Sequence, residues 1–95
     1  GLYSGIIKMT RMTPREFIKK FGWDITLTLW DDCENDVISY RGFRVGCFFL
    51  GDLLRSYSIV CAFGGIDLAK EKAHKIGSPH NSVVFKAIAD VESCQ

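Results

Sequence analysis

The fold class of this 95-residue chain is decided by the stretch Val37-Ile38-Ser39-Tyr40-Arg41-Gly42-Phe43-Arg44-Val45. Apolar and β-forming residues flank Arg41-Gly42, a pair typical of the tight turn of a hairpin, in which glycine takes a positive φ. From Phe49 onward the period changes, and apolar residues recur three and four positions apart as far as Cys61, which predicts a helix. A hairpin followed directly by a helix predicts an α+β fold.

Two more helices are predicted on the carboxyl-terminal side. Gly64-Gly65 is expected to end the preceding helix, and a helix is predicted over residues 66–76 with Gly77 as its stop. After the break at Ser78-Pro79-His80, Asn81 or Ser82 can cap a last helix that presents Val84, Ile88 and Val91 on one face. Residues 82–93 also alternate as a strand would, but their Ala, Lys and Glu content favours the helix.

On the amino-terminal side, Thr13-Pro14-Arg15-Glu16 has the pattern of a capping box with proline at the first helical position. It predicts a helix over residues 14–21, stopped by Gly22. Residues 25–30 alternate with period two and predict a strand; the alternative is one more helical turn capped by Asp24. The expected fold is a small antiparallel hairpin or three-stranded meander packed against three or four short helices.

The length of the chain predicts one small domain over residues 1–95. Residues 1–12 are expected to be flexible or partly an expression remnant, with Met9 or Met12 as the natural start. No run of about 18 apolar residues exists to span a membrane. The first residues are too short and too mixed for a secretion signal, so the sequence predicts a cytoplasmic protein.

Composition excludes several classes of protein. Hydrophobic residues make up 47% of the chain and charged residues 24%, which is typical of a globular domain and excludes a disordered or collagen-like chain. Twelve basic residues against 11 acidic ones give a net charge of +1. This balance does not indicate a strongly basic nucleic-acid binder.

The four cysteines are expected to be free thiols. Cys33, Cys47, Cys61 and Cys94 include no Cys-x-x-Cys pair, although three disulfide pairings are formally open. With no secretion signal, a reducing compartment is predicted. Cys47 and Cys61 lie in apolar stretches, where a thiol behaves as a small hydrophobic side chain.

No motif indicates catalysis, a metal site or a cofactor. The two histidines and four cysteines lack the spacing of zinc ligands, and the acidic loop lacks the glycine and closing glutamate of an EF-hand. Nucleophile-elbow, phosphate-loop and dinucleotide motifs do not occur. The chain is therefore predicted not to be an enzyme; the alternative is a hydrolase built on Cys61 and His74.

Charge is unevenly distributed along the chain, and this points to a partner surface. Residues 24–36 carry five acidic side chains and no basic one. Carboxylates beside aromatic rings can steer and anchor a basic, DNA-binding protein. The predicted contact residues are Trp30, Asp31, Asp32, Glu34, Asp36 and Phe43. The clustered rings of Phe43, Phe48 and Phe49 also suggest a self-association or partner surface.

The segment from Gly51-Asp52-Leu53-Leu54 to Gly64-Gly65 resembles the middle of an AT-rich-interaction (ARID) domain. The resemblance covers about fifteen residues; the tryptophan that this family places after the Gly-Gly pair and its basic tail are missing here. It implies a small ARID-like or helix–turn–helix DNA-binding protein as an alternative function. The phosphate contacts would then be Lys70, Lys72 and Lys75.

From residue 12 onward, the order of elements looks like that of small lambdoid phage proteins, in particular the short antirepressors of Gifsy-type prophages. The similarity is one of size and order: a capped Pro-Arg-Glu-Phe helix, a Gly-Trp-Asp-Ile strand, a Tyr-Arg-Gly-Phe-Arg-Val hairpin, an Asp-Leu-Leu helix, Gly-Gly and an Ala-Lys helix. The resemblance implies a protein that binds a DNA-binding repressor directly and removes it from its operator. We expect such a protein to be a homodimer.

Overall fold

A computed structural model describes residues 9–33 and 36–95. Five helices and three strands occur in this part of the chain, in an α+β arrangement that confirms the expected fold class. Internal contacts divide the chain into two compact units, Gly1–Leu50 and Gly51–Gln95. The division falls inside one helix, and the expectation of a single folding domain stays a prediction.

The first unit begins with strand β1 (Thr10–Arg11) and helix α1 (Pro14–Phe21). The capping box is confirmed, because the Glu16 N–H donates to the Thr13 hydroxyl at 3.2 Å and the Thr13 N–H donates to the Glu16 carboxylate at 3.0 Å. Of the segment expected to be flexible, residues 1–8 lie outside the described residues. Thr10 and Arg11 pair in parallel with the hairpin.

The capping box carries the first testable prediction. Replacing Thr13 by alanine should lower the free energy of unfolding by about 1 kcal/mol, because an orphan amide of α1 loses its acceptor. Thr28→Ala is the control: that hydroxyl only donates back to the Asp24 carbonyl along its own helix. Urea unfolding of both variants checks the prediction, and equal losses would contradict it.

Hydrogen bonds from Thr13 to the Glu16 carboxylate lower the pKa of Glu16 below the ordinary value of 4.5, chiefly through the Thr13 backbone N–H and then through the Thr13 hydroxyl. Because the folded-state pKa is lowered, this contribution to stability is present above pH 4.5 and is lost as the pH falls through the folded-state value. Glu16→Gln should therefore flatten the acid limb of the stability curve.

Helix α2 (Trp23–Asp31) replaces the strand that the alternation of residues 25–30 predicts. The strand prediction is wrong: the tertiary burial of Thr26 selects the helix, and both threonines of the stretch bond through their hydroxyls to carbonyls four residues earlier. Thr26 Oγ1 donates to the Gly22 carbonyl at 2.7 Å, and Thr26 is fully buried. The alternative prediction of a helical turn is closer to the observed structure. Its predicted cap is wrong, because the N-cap residue is Gly22 and Asp24 lies in the first turn of the helix.

The hairpin is confirmed, with strands β2 (Val37–Tyr40) and β3 (Phe43–Gly46). Arg41 (φ 49°) and Gly42 (φ 81°) both take left-handed conformations, as a two-residue primed turn requires. The sheet order is β1-β3-β2. The hairpin alternative therefore holds and the three-stranded meander does not, because the third strand of this mixed sheet is β1, which precedes α1 and pairs in parallel.

One face of this sheet carries an aromatic cluster made by Phe17, Phe21, Tyr40 and Phe43. Phe21 is central to it: its ring centroid lies 4.8 Å from Phe17, 5.0 Å from Tyr40 and 5.9 Å from Phe43. Phe17 has no exposed surface. The cluster therefore joins α1 to the hairpin and forms much of the apolar core of the first unit.

Helix α3 (Cys47–Phe63) starts directly after β3, and its residues from Gly51 onward belong to the second unit. Helices α4 (Ile66–Ile76) and α5 (Ser82–Glu92) follow, which confirms all three predicted carboxyl-terminal helices. Asn81 occupies the N-cap of α5 without capping it, since its side-chain amide donates to the Ala73 carbonyl of α4 at 3.3 Å.

Within the second unit a partly buried polar contact links two helices. The Ser56 hydroxyl of α3 donates to the Asp90 carboxylate of α5 at 2.7 Å, and Lys86 reaches the same carboxylate at 2.8 Å. Ser56 is buried, so its hydroxyl needs this acceptor. The buried apolar residues of this unit are Leu53, Leu54, Val60, Ala69, Ala73, Val84, Ala87, Ile88, Val91 and Cys94.

Candidate interaction surface

The carboxyl-terminal end of α2 is acidic. Asp31 is the last residue of this helix, Asp32 is its C-cap, and both are exposed. The last turn contains no basic residue. A helix carboxyl terminus is the negative end of the macrodipole, where a carboxylate costs roughly 0.3–1 kcal/mol. These two side chains therefore do not stabilise their own helix.

A third exposed carboxylate stands where the chain enters β2. Asp36 takes a left-handed conformation (φ 61°), which an aspartate adopts at some cost. Its carbonyl accepts a hydrogen bond from the Cys47 N–H at 2.9 Å, and a disulfide joins Cys47 to Cys33. The end of α2, the start of β2 and the start of α3 are thereby tied together. None of the three aspartates forms an ion pair with another described residue.

The disulfide overturns part of the prediction for the cysteines. Cys33 and Cys47 are bonded, whereas Cys61 and Cys94 form no disulfide, as expected. The hairpin returns the chain so that two cysteines 14 residues apart in sequence meet, which no local spacing rule shows. Cys47 and Cys94 are buried, but Cys61 is exposed, contrary to its expected role as a small core residue.

Beside the disulfide lies a hollow of about 320 Å³. Its lining combines Leu29 and Asp32 from the end of α2 with Cys33 and with three consecutive residues of β2, Val37, Ile38 and Ser39. The hollow is thus lined by both apolar and polar groups, and one of its residues, Asp32, is an exposed aspartate. This combination fits a side chain with an aliphatic stem and a cationic end.

Two exposed aromatic rings follow Cys47 in the first turn of α3. Phe48 is 80% exposed and Phe49 is 65% exposed, and their rings meet edge to face at 5.1 Å. Exposed phenylalanines in neighbouring positions are unusual in a monomer surface and typical of an interface. We name Asp31, Asp32, Asp36, Phe48 and Phe49 the acidic–aromatic surface.

The residues predicted for the partner surface differ in how exposed they are. Asp31, Asp32 and Asp36 are exposed as expected, while Glu34 lies outside the described residues. Trp30 is half-buried at the end of α2. Phe43 is also half-buried, in the aromatic cluster, with the Lys20 ammonium 5.1 Å from its ring centroid. The exposed anchors are Phe48 and Phe49, which the clustering of phenylalanines in the sequence already indicated.

The lysines of the DNA-binding alternative all contact groups of their own chain. Lys70 pairs with Glu92 at 3.0 Å, and Lys75 pairs with Glu71 at 3.5 Å as the i,i+4 spacing predicts. The Lys72 ammonium lies 3.4 Å from the Phe63 carbonyl. Each of these ammonium groups therefore has a partner on its own chain, and these contacts give no sign of a phosphate-binding site. DNA binding by this helix stays an untested prediction.

Cys61 and His74, the residues of the hydrolase alternative, lie on different helices. Cys61 is exposed on α3, and the His74 ring stacks edge to face against Phe85 at 5.4 Å. Within the described ranges, no group of three or more His, Cys, Asp or Glu side chains could hold a metal ion.

No single helix of residues 9–33 and 36–95 is long and apolar enough to cross a membrane. Helices α3 and α4 reach that length and composition only as a pair, with an 81° bend between them.

Comparison with protein-family models, with curated proteins and with solved structures finds no match for this chain.

Proposed function

We propose that this chain is a non-enzymatic regulator that binds a basic, DNA-binding repressor through its acidic–aromatic surface, in the manner of an antirepressor. One observation carries the proposal: the disulfide and the Asp36–Cys47 hydrogen bond link the segments that carry three exposed aspartates to the helix start that carries two exposed phenylalanines, and the aspartates make no ion pair in the described chain. Two of them occupy a helix end where their charge is unfavourable. These uncompensated negative charges lower the stability of the free chain, and a cationic partner would offset them.

The chemistry of the partner follows from this surface. A DNA-binding protein presents Lys and Arg side chains that neutralise phosphates. Carboxylates can take the place of those phosphates and steer the encounter, whereas the two rings provide desolvated anchor contacts. The repressor leaves its operator if its free form binds this chain better than its DNA-bound form does.

The proposal places the protein in the cytoplasm, where repressor and operator meet, and takes the acting species as a homodimer. Cytoplasmic thiol systems reduce accessible disulfides, so the Cys33–Cys47 pair is expected to open there to some extent. Binding is therefore to be measured in both redox forms. The Asp36–Cys47 backbone hydrogen bond and the hairpin pairing do not depend on the disulfide.

The carboxylates set the rate of association in this proposal. The triple variant D31N/D32N/D36N should associate with the repressor about tenfold more slowly at low ionic strength, and the difference should shrink as salt screens the charges. Stopped-flow or surface plasmon resonance across a salt series measures both effects. D67N is the matched control, since Asp67 lies in the first turn of α4. An unchanged rate and salt slope would remove the aspartates from the interface.

The two rings set the rate of dissociation. The double variant F48A/F49A should weaken the complex by about 2 kcal/mol or more, roughly thirtyfold in Kd, mostly by faster dissociation. L68A is the control, because Leu68 is a partly exposed apolar residue of the second unit. Equal losses for both variants would indicate a general effect of apolar surface.

Capture from a lysogen carrying a Gifsy-type prophage tests the proposal as a whole. Immobilised wild-type protein should retain the prophage repressor, and D31N/D32N/D36N should not. Failure of the wild type to retain any DNA-binding regulator, or equal retention by the triple variant, would contradict the proposal.

A further inference from the structure

Strand β2 forms an open edge of the sheet. Among the strands of the described residues it pairs with β3 on one side only, and its sequence Val-Ile-Ser-Tyr contains neither proline nor a charged residue. Natural proteins protect free edges with such residues or by covering them. The opposite edge, β1, is only two residues long and carries Arg11. The unprotected edge is therefore the β2 side.

The hydrogen bonds of the sheet show which groups of β2 face outward. The Arg44 carbonyl accepts from the Met12 N–H at 2.9 Å, so the backbone of Arg44 is turned toward β1. Ser39, its cross-strand partner, must then turn its N–H and C=O away from β3. By the same alternation Val37 does likewise, whereas Asp36 faces inward and bonds to Cys47.

Among residues 9–33 and 36–95, β2 is paired with β3 alone, so the outward N–H groups of Val37 and Ser39 donate to no backbone carbonyl there and their outward C=O groups accept from no backbone N–H. Both residues are exposed, and both line the hollow beside the disulfide together with Asp32. An added strand would find alternating donors and acceptors here, a pocket for one side chain, and a carboxylate beside that pocket.

We propose that β2 accepts an extended, basic segment of the partner as an additional strand, whose Lys or Arg side chain enters the hollow toward Asp32. This inference rests on the proposed function and specifies how the partner is recognised. The exposed carboxylates of Asp31, Asp32 and Asp36 favour a positively charged segment as the added strand. A second copy of the chain is a poorer occupant, because it would bring a second Asp32 to the same edge.

The test uses a synthetic decapeptide of alternating lysine and valine as the probe, with the intact protein. Amide hydrogen exchange and NMR shifts at Val37 and Ser39 report docking at the edge. Binding should slow exchange of both amides by about tenfold or more, while the Arg11 amide on the opposite edge serves as the internal control. Alternate N-methylation of the peptide backbone should weaken binding by at least about tenfold, because the inter-strand bonds cannot form.

The outcomes separate this inference from the proposed function. Unchanged affinity after N-methylation, or binding without protection of Val37 and Ser39, overturns strand addition and leaves charge recognition standing. Equal binding of a glutamate–valine decapeptide overturns the basic occupant. Protection of both amides that grows with protein concentration, without peptide, assigns the edge to a second copy. No binding of the lysine–valine peptide at low salt also overturns the inference, and repressor capture then decides the proposed function by itself.

Discussion

Replacing Phe17 by alanine is expected to lower the free energy of unfolding by about 3–5 kcal/mol, the largest effect of any substitution considered for this chain. Phe17 is fully buried, and its ring lies 4.8 Å from that of Phe21 and 6.4 Å from that of Tyr40. The loss combines the apolar surface of one ring with the cavity it leaves between α1 and the hairpin.

Guanidinium unfolding followed by tryptophan fluorescence measures this loss. Trp23 and Trp30 both lie in α2, so their signal follows the first unit. Phe48→Ala is the matched control, since its ring is 80% exposed and its removal should change the unfolding free energy by no more than about 0.5 kcal/mol. A loss below about 1 kcal/mol for Phe17→Ala would show that the aromatic cluster is not the core of the first unit.

Loss of the disulfide is expected to have the second-largest effect. Cys33→Ser should lower the free energy of unfolding by about 3 kcal/mol, because the crosslink closes a loop of about 15 residues and restricts the unfolded chain. Reduction of the wild type should give a similar loss. Both changes act where the chain links α2, β2 and α3, directly after Asp32 and directly before Phe48 of the acidic–aromatic surface.

Cys61→Ser is the matched control for this prediction, since Cys61 is exposed and free. It should unfold like the wild type, with or without reductant. If Cys33→Ser and Cys61→Ser were equally stable, or if reduction left the wild-type transition unchanged, the crosslink would contribute nothing to the fold.

Much of the fold could be predicted from local sequence. The capping box at Thr13, the turn at Arg41-Gly42 and the stops at Gly64-Gly65 and Gly77 all depend on neighbours within a few residues, and the structure confirms each. Local rules suffice there because the groups that are satisfied lie within one turn.

The errors share one physical cause, which is contact between residues distant in sequence. The alternation of residues 25–30 fits a strand as well as a helix, and tertiary burial of Thr26 selects the helix. Strand β1 pairs with β3 although both α1 and α2 lie between them in the sequence, and Cys33 can reach Cys47 only once the hairpin has formed. None of these pairings leaves a periodic signal in the sequence.

The acidic residues of the candidate site could be predicted from the sequence, whereas the choice of exposed phenylalanines could be predicted only in part. A run without basic residues shows that Asp31, Asp32 and Asp36 lack local partners, and exposure follows from that. Which phenylalanine is exposed depends on packing: Phe43 points into the cluster around Phe21, whereas Phe48 and Phe49 emerge at the start of α3.

The central claim is tested most directly by a gel-shift assay with a purified Gifsy-type prophage repressor bound to its operator DNA. Addition of the wild-type protein should free the DNA at concentrations where D31N/D32N/D36N leaves the complex intact, and no shifted band should contain this protein and DNA alone. An undisturbed repressor–operator band, equal release by the triple variant, or a direct complex between this protein and the DNA would contradict the account.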